Sequence, residues 1–488
     1  MVNTFSIVAD ARANVEANDV QAFSYDAVDD RGRRRPAPTK VRTEDYHATA
    51  KKRETLSAST QDLARNFELA AWAIRKHLDY VTSFSFQAKT KDRVFNAQLE
   101  NLVDKLSSKE RFDVAGRHPL RRAVRLTEAC RAKDGDHLWL KIKRGKNRGR
   151  VQPVEAYRIA TPADLPRQEN LAAWVNGVRV NKQGRHEAYG ICDVERRGHA
   201  VLKRITSARN CFYHGFFDRW DQVRGISPLA AALNRFRDTY EGFEYAHAKL
   251  KISQLFGLEF YRSSDGEGVF GSAATSATTD ANGDGTNDGG YEVNLTGGGP
   301  FVLDMDADDR VNILESKTPA TETVNFLKLA IHLAIKSLDI PYSFLDESAT
   351  NFYGSRGGLI QYLLSCKNKR ADVSELLDSW TRWRLGIAVV DGELDLPPGV
   401  VFDDLAWEWV PAGVPWWDPV KEARGAAMSV AMGVSSPQRE CRLVGTDFER
   451  NILETAEAIE FAKQNNVDLK FADSSAFGPE ITTEGNVD

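Results

Sequence analysis

Between Ser59 and Val81 the residues Leu63, Phe67, Trp72, Ile74, Leu78 and Val81 fall near helical spacing, so the segment reads as a helix. From Asp136 to Val180 the period changes. HLWLKIKRG alternates, and VEAYRIATP and GVRVN are short and bounded by Gly, Pro or Asn; these read as strands of a mixed α+β domain. A long helix opens at Ser227-Pro228, where serine can cap free N–H groups and proline is tolerated at the first position. Along it Leu229, Leu233, Phe236, Tyr240, Phe243, His247 and Leu250 alternate steps of four and three, a heptad-like seam on which His247 reads as a packed histidine. From Ser227 to Leu255 such a helix would measure roughly 43 Å at 1.5 Å per residue, a length that seldom serves only a globular core.

A second helix starts near Thr318-Pro319, with Val324, Leu327, Ile331, Ala334 and Leu338 in the same alternation, and stops at Asp339-Ile340-Pro341. The glycine-rich NFYGSRGG, residues 351–358, reads as a loop. A third long helix follows from about Ser355 to Gly386, with Leu359, Leu363, Cys366, Val373, Leu377 and Trp380 on one face. Trp407, Trp409, Trp416 and Trp417 lie in a Pro-punctuated segment expected against the main body. From Asp418 the chain reads as helical, with Thr446 and Glu449 as a capping box and Phe448, Ile452, Ala456 and Ile459 on one face.

Between these elements lie polar segments. Residues 1–50 read as a loosely ordered arm, with Arg31, Arg33, Arg34 and Arg35 before Pro36. Lys141 to Arg150, KIKRGKNRGR, reads as a solvated hairpin tip, with a DNA-facing or neighbour-facing loop as the sharper alternative. Residues 263–300, rich in Gly, Ser, Thr and Asp, bury little apolar surface and read as a long exposed loop between the strands GLEFYR and PFVLDMD. No internal repeat is evident.

The 488 residues allow two to four domains, and 42% apolar content supports a sizeable core. A net charge of −4, from 65 basic and 69 acidic residues, argues against coating nucleic acid by bulk charge and is compatible with sliding along it. Cys130, Cys192, Cys211, Cys366 and Cys441 are odd in number, far apart and without a CxxC, so reduced thiols are expected. No apolar run is long enough to span a membrane, and the N-terminal pattern is not that of a signal peptide.

Enzymatic signatures are missing: no P-loop, no HExxH, no GxSxG. An enzyme acting on nucleic acid would need a metal-binding carboxylate cluster, which spacing alone does not identify; that is the alternative function. In DANGDGTNDGG, Asp280, Asn282, Asp284 and Asp288 match positions 1, 3, 5 and 9 of a calcium loop, with Gly285 at the turn. Tyr291 stands at position 12, where a bidentate Glu is expected, and the plainer reading is a flexible acidic loop. Likewise NFYGSRGG reads either as a mobile connection or as a place where Tyr353 and Arg356 meet DNA by stacking and a phosphate contact.

Four stretches in order resemble the lambda-type group of phage portal proteins. They are DLARNFELAAWAIRKHLDYV, then VRGISPLAAALNRFRDTYEGFEYAHAKLKISQLFGLEF, then LAIKSLDIPYSFLDESATNFYGSRGGLIQY, and finally VPWWDPVKEARGAAMSVAMGVSSPQRECRLVGTDFER. Together they span about residues 60–460; the insertion at 263–300 and the region 83–220 depart from the pattern. The resemblance implies an α+β portal fold: a mixed α/β wing, long stem helices, a small β-containing clip and an α-helical crown, assembling into a ring of usually twelve subunits. After a flexible arm, 1–50, the wing would take 51–225, the stem helices 226–255 and 318–338, and the clip 256–317. The tunnel loop, tunnel helix and rest of the wing would take 339–417, the crown 418–475 and a flexible tail 476–488. The implied function is non-enzymatic and needs no cofactor: a channel at one capsid vertex of the virion for DNA packaging and DNA ejection, assembled in the host cytoplasm. The implied partners are double-stranded DNA, the terminase large subunit, a head-tail connector or adaptor, and the major capsid and scaffold proteins, with no membrane. Asn351, Tyr353, Ser355 and Arg356 would face DNA, and Pro228, Leu233, Phe236, Tyr240, Leu327 and Ile331 would serve the stem and its oligomerisation.

Overall fold

The computed structural model describes residues 41–161, 173–194, 200–255, 258–261, 310–313, 321–414 and 418–467. The calcium-loop candidates Asp280, Asn282, Asp284 and Asp288, PFVLDMD, Thr318-Pro319, Trp416, Trp417, the arm up to residue 40 and the tail lie outside them.

The chain opens with three helices, α1 (Glu44–His47), α2 (Ala50–Asn66) and α3 (Glu68–Val81). The single helix expected over 59–81 is therefore two. Phe67 adopts an extended conformation between them, and its buried ring packs edge-to-face on Phe236. Burying that aromatic stabilises the break more than an unbroken helix would. Strand β1 (Phe84–Ala88) precedes α4 (Arg93–Ser107), α5 (Lys109–Phe112) and α6 (Leu120–Asp134). Then come β2 (Asp136–Lys141), β3 (Val151–Glu155), β4 (Trp174–Val175), β5 (Val178–Val180), β6 (His186–Val194), β7 (Ala200–Ser207) and β8 (Cys211–Gly215).

These strands form antiparallel sheets of order β3-β2-β8 and β4-β5-β6-β7. Strand β2 is buried over nearly its whole length, because both its faces are covered. Leu138 and Leu140 enter a cluster with Val154, Val178, Tyr189 and Ile191. Trp139 meets Phe112 and Phe212, and its indole N–H donates to the Thr127 hydroxyl at 2.8 Å.

Helix α7 (Leu233–Leu255) follows a 3-10 turn, Pro228–Ala232, so the helix expected from Ser227 begins as that turn; Ser227 caps it as expected, accepting from the Leu229 N–H. Strand β9 (Leu258–Tyr261) pairs antiparallel with β10 (Arg310–Ile313). Helix α8 (Thr321–Ile335) ends in a 3-10 turn at Leu338, and Asp339 leaves it in a left-handed conformation, where the sequence marks the stop. Helix α9 (Phe352–Val390) runs 39 residues. Strand β11 (Trp407–Pro411) returns to β1 across more than 300 residues. Helices α10 (Pro419–Ala431), α11 (Pro437–Val444) and α12 (Phe448–Gln464) close the described chain. The cap of α12 is Asp447, whose carboxylate accepts from the Arg450 N–H; Thr446 instead donates to the Cys441 carbonyl, so the expected capping box is not formed. Carboxylates are strong N-caps, and Asp447 sits one residue nearer the helix.

The chain divides into two compact units, Met1–Phe236 with His332–Asp488, and Arg237–Ile331. In the second unit α7 passes α8 closely enough that a Cβ on Gly242 would crowd a Leu327 methyl.

Candidate functional site

The residues Arg224-Gly225-Ile226-Ser227-Pro228, just before α7, hold the densest polar network in the described chain. Arg224 is buried and all five of its N–H groups are used. Nε and Nη2 bind the two Asp136 oxygens at 2.5 and 2.7 Å; Nη1 donates to the Ile159 and Asn176 carbonyls, and Nη2 also to that of Ala156. Asp136 further accepts from Arg53 at 3.3 Å and from the Tyr213 hydroxyl at 2.6 Å. Burial works to raise the Asp136 carboxyl, but Arg224, followed by Arg53, holds it below its ordinary range. Burial likewise opposes the charge on Arg224, and Asp136 outweighs it and raises the guanidinium.

Gly225 and Gly135 touch backbone to backbone; a Cβ on either would collide with the other's carbonyl, and Gly135 has a φ of +94°. Ser227 donates to the Ala132 carbonyl at 2.6 Å. The segment thus ties the entry to α7 to the turn after β3, to the turn between β4 and β5, to Asp136 at the start of β2 and to the end of α6.

A second buried cluster lies nearby on α6. Glu128 accepts from Arg131 Nε at 2.8 Å, from His77 Nε2 at 2.7 Å and from His214 Nε2 at 3.0 Å. Burial works to raise its carboxyl, but Arg131 and then the two histidines hold it well below its usual value. Arg131 reaches on to Asp372 of α9 at 2.8 Å. His137 on β2 is pushed down to about 4, first by burial and then by His214. A cavity of about 50 Å³, lined by His77, Glu128, Arg131, Asp339 and Lys369 among others, has room for a water or two and not for a substrate. Asp136 and Glu128 are each buried and bound by several groups of the same chain, which suits a lock between elements. Among the described residues no group of three or more His, Cys, Asp or Glu is placed to hold a metal ion.

Arg53, His77, Glu128, Arg131, Asp136 and His214 carry no motif, being scattered over 160 positions of chain. Only Arg224, inside the recognisable RGISP, and an aspartate leading the apolar run LWL signalled anything.

The segment expected as a glycine-rich loop is, from Phe352 on, the first two turns of α9. Asn351 is the N-cap, accepting from the Gly354 N–H at 2.8 Å, and the Thr350 and Ser355 hydroxyls meet at 2.7 Å. The Asn351 cap offsets part of the helix cost of the three glycines, about 1 kcal/mol each, and propagation from the rest of the long helix carries the remainder. Tyr353 is 77% exposed. Arg356 forms an ion pair with Glu422 of α10 at 3.0 Å. The helix is bolted further along: Lys369 reaches Asp339 and the Leu338 carbonyl, and Arg370 the Tyr80 carbonyl.

The residues expected to serve oligomerisation divide. Leu233 and Phe236 are buried in the first unit, where Phe236 lies against Phe67, so they serve the subunit's own core. Leu327 and Ile331 are also buried, and Pro228 starts the 3-10 turn. Tyr240 is exposed, and so are Phe243, Tyr245, Phe326 and Leu329, which leaves large apolar side chains uncovered on both α7 and α8. Among the described residues no helix is long and apolar enough to cross a membrane.

The family model described as phage portal protein, lambda family, matches residues 31–369. No curated protein matches the chain. Among solved structures, the chain is similar to one in the virion of a native gene transfer agent particle, with 12% identity over 80% of this chain and 93% of that one and a TM-score of 0.48. It is also similar to one in the neck of an empty particle of that agent computed with C6 symmetry, with 15% identity over 79% and 93% and the same TM-score. A third, in the neck of the native particle computed with C12 symmetry, gives 12% identity over 80% and 93% and a TM-score of 0.45.

Proposed function

Because the chain belongs to the lambda family of phage portal proteins, we propose that it closes with copies of itself into a ring at one capsid vertex, through which double-stranded DNA is packaged and later ejected. The observation that carries this reading is the pair of helices α7 and α8. Phe243, Tyr245, Phe326 and Leu329 are all about half exposed or more, and large apolar side chains left uncovered on two neighbouring helices suit contact with another copy of the chain. A head-to-tail contact that repeats with a constant rotation closes into a ring when the rotation divides the circle.

In this reading α7 and α8 are the stem, the β9–β10 pair belongs to the clip, and α10 to α12 are the crown. Residues 51–225 with 385–415 are the wing, which the Arg224 and Glu128 clusters weld to the stem's entry and to α9. Tyr353 at the start of α9 faces the DNA path. Arg356 reaches DNA only when it leaves Glu422. The ring has about twelve subunits, as the resemblance implies; terminase and a head-tail adaptor dock at the clip end, and capsid and scaffold proteins surround the wing.

Negative-stain electron micrographs of the purified chain are expected to show round particles with a central hole. Filaments, or only small solid particles under every assembly condition tried, would overturn the proposal.

A further inference from the structure

The hairpin between β2 and β3 presents a cationic surface that no part of the proposed channel uses. From Lys141 to Arg150 the chain carries six basic residues and no acidic one. The hairpin is held rigid from inside: the Ile142 N–H donates to the Arg150 carbonyl at 3.0 Å, the Gly149 N–H to that of Ile142 at 2.9 Å and the Arg148 N–H to that of Gly145 at 3.0 Å. Gly145 and Gly149, with φ of +75° and +81°, make these turns possible. Its base is anchored to α9 and the loop after it. Arg148 pairs with Asp391 at 3.0 Å, and a Cβ on Gly149 would already touch the Arg384 guanidinium at 3.0 Å. Lys141 is held as well, with Nζ 4.0 Å from the Phe212 ring centre and bonded to the Arg209 carbonyl.

That leaves Lys143, Arg144 and Lys146 exposed at the tip, with no acidic partner among the described residues. Arg209, whose carbonyl accepts from Lys141, is exposed, and Arg204 rests its guanidinium on Gln152 of β3 at 3.5 Å. The Cys211 thiol, pushed up to about 12 by burial, feels the opposing charges of Lys141, Arg204 and Lys143.

A protein partner is recognised through an apolar, aromatic-rich centre with a polar rim, whereas a nucleic-acid backbone is met by a polar and strongly positive surface. None of the large exposed apolar side chains lies between residues 141 and 150. We propose that the β2–β3 hairpin tip docks on the phosphodiester backbone of duplex DNA without reading its sequence, through Lys143, Arg144 and Lys146, with Arg204 and Arg209 extending the surface. This does not depend on ring closure, since one subunit carries the whole patch.

The test is fluorescence anisotropy of a labelled duplex of about 30 base pairs and arbitrary sequence with the full chain, across a series of salt concentrations. Each phosphate contact contributes about 0.9 to the slope of log affinity against log salt. The variant Lys143→Gln/Arg144→Gln/Lys146→Gln is expected to flatten the slope by roughly 2–3, and Lys143→Gln alone by about 1, so the result does not depend on one multiple variant folding. The variant Tyr353→Ala/Arg356→Ala is expected to keep the hairpin's share of the slope. Unchanged slopes in both hairpin variants would overturn the proposal. So would tighter binding of a polyglutamate peptide than of the duplex, which would assign the tip to an acidic protein.

Discussion

Arg224 spends five donors on five acceptors, and a lysine at this position has neither the number nor the planar spread to replace them. Arg224→Met leaves Asp136 buried and short of its main cation; such a broken pair costs about 3–5 kcal/mol. Chemical denaturation is expected to show that loss, Arg224→Lys is expected to recover little of it, and Arg224→Met/Asp136→Leu only part, because the Ile159, Asn176 and Ala156 carbonyls and the Tyr213 hydroxyl lose their partners. His137 sets a pH dependence. Its folded value, about 4, lies below the ordinary 6.5, so its neutral form is the one the fold accommodates. The stability it contributes is whole above pH 6.5 and is lost as pH falls from there towards 4. Asp136 and Glu128, both depressed, extend the loss further into acid. Unfolding free energies measured at pH 7.5 and 5 are expected to differ by about 2 kcal/mol on His137's account, because each pH unit below 6.5 costs the fold about 1.4 kcal/mol until the folded imidazole itself takes up a proton. His137→Gln should shrink that difference; the same difference in the variant would contradict the assignment.

At the scale of elements, α9 shows what the pattern of the chain revealed and what it hid. Its apolar face was legible from spacing: Leu359, Cys366, Val373, Leu377 and Trp380 are buried, and Leu363 is half-buried. Its start was not. Gly354, Gly357 and Gly358 argue for a loop on local propensity, yet the Asn351 cap and some thirty further helical residues pull them into the helix. A Cβ on Gly357 meets nothing within 4 Å, so Gly357→Ala is expected to raise thermal stability, by up to about 1 kcal/mol. If these turns must open for DNA to pass, the same change is expected to lower packaging in a phage complementation assay. The break at Phe67 was hidden for a related reason: its residue sits in helical register, and only the distant ring of Phe236 explains the extended backbone. The β2 strand announced itself by alternation, but its two-sided burial depends on α9 and β8, far along the chain. The Arg224 and Glu128 clusters were invisible because their members meet only through the fold.

At the scale of the molecule, the heptad-like seam of α7 does two jobs that its spacing does not separate. Its first turns, Leu233 and Phe236, are spent inside the subunit, whereas Tyr240 and Phe243 remain exposed. Replacing Leu233 by Ala is therefore expected to destabilise the subunit by about 2–5 kcal/mol, as for other buried leucines. Phe243→Glu with Phe326→Glu is expected to leave the melting temperature within a few degrees of the parent and to abolish assembly, read by size-exclusion chromatography. Native mass spectrometry of the purified chain tests the central claim most directly. Closed rings predict one dominant species at an integral multiple of the 54.4 kDa subunit, about twelvefold. A single species at 54.4 kDa, persisting at every concentration and salt condition tried, would contradict it.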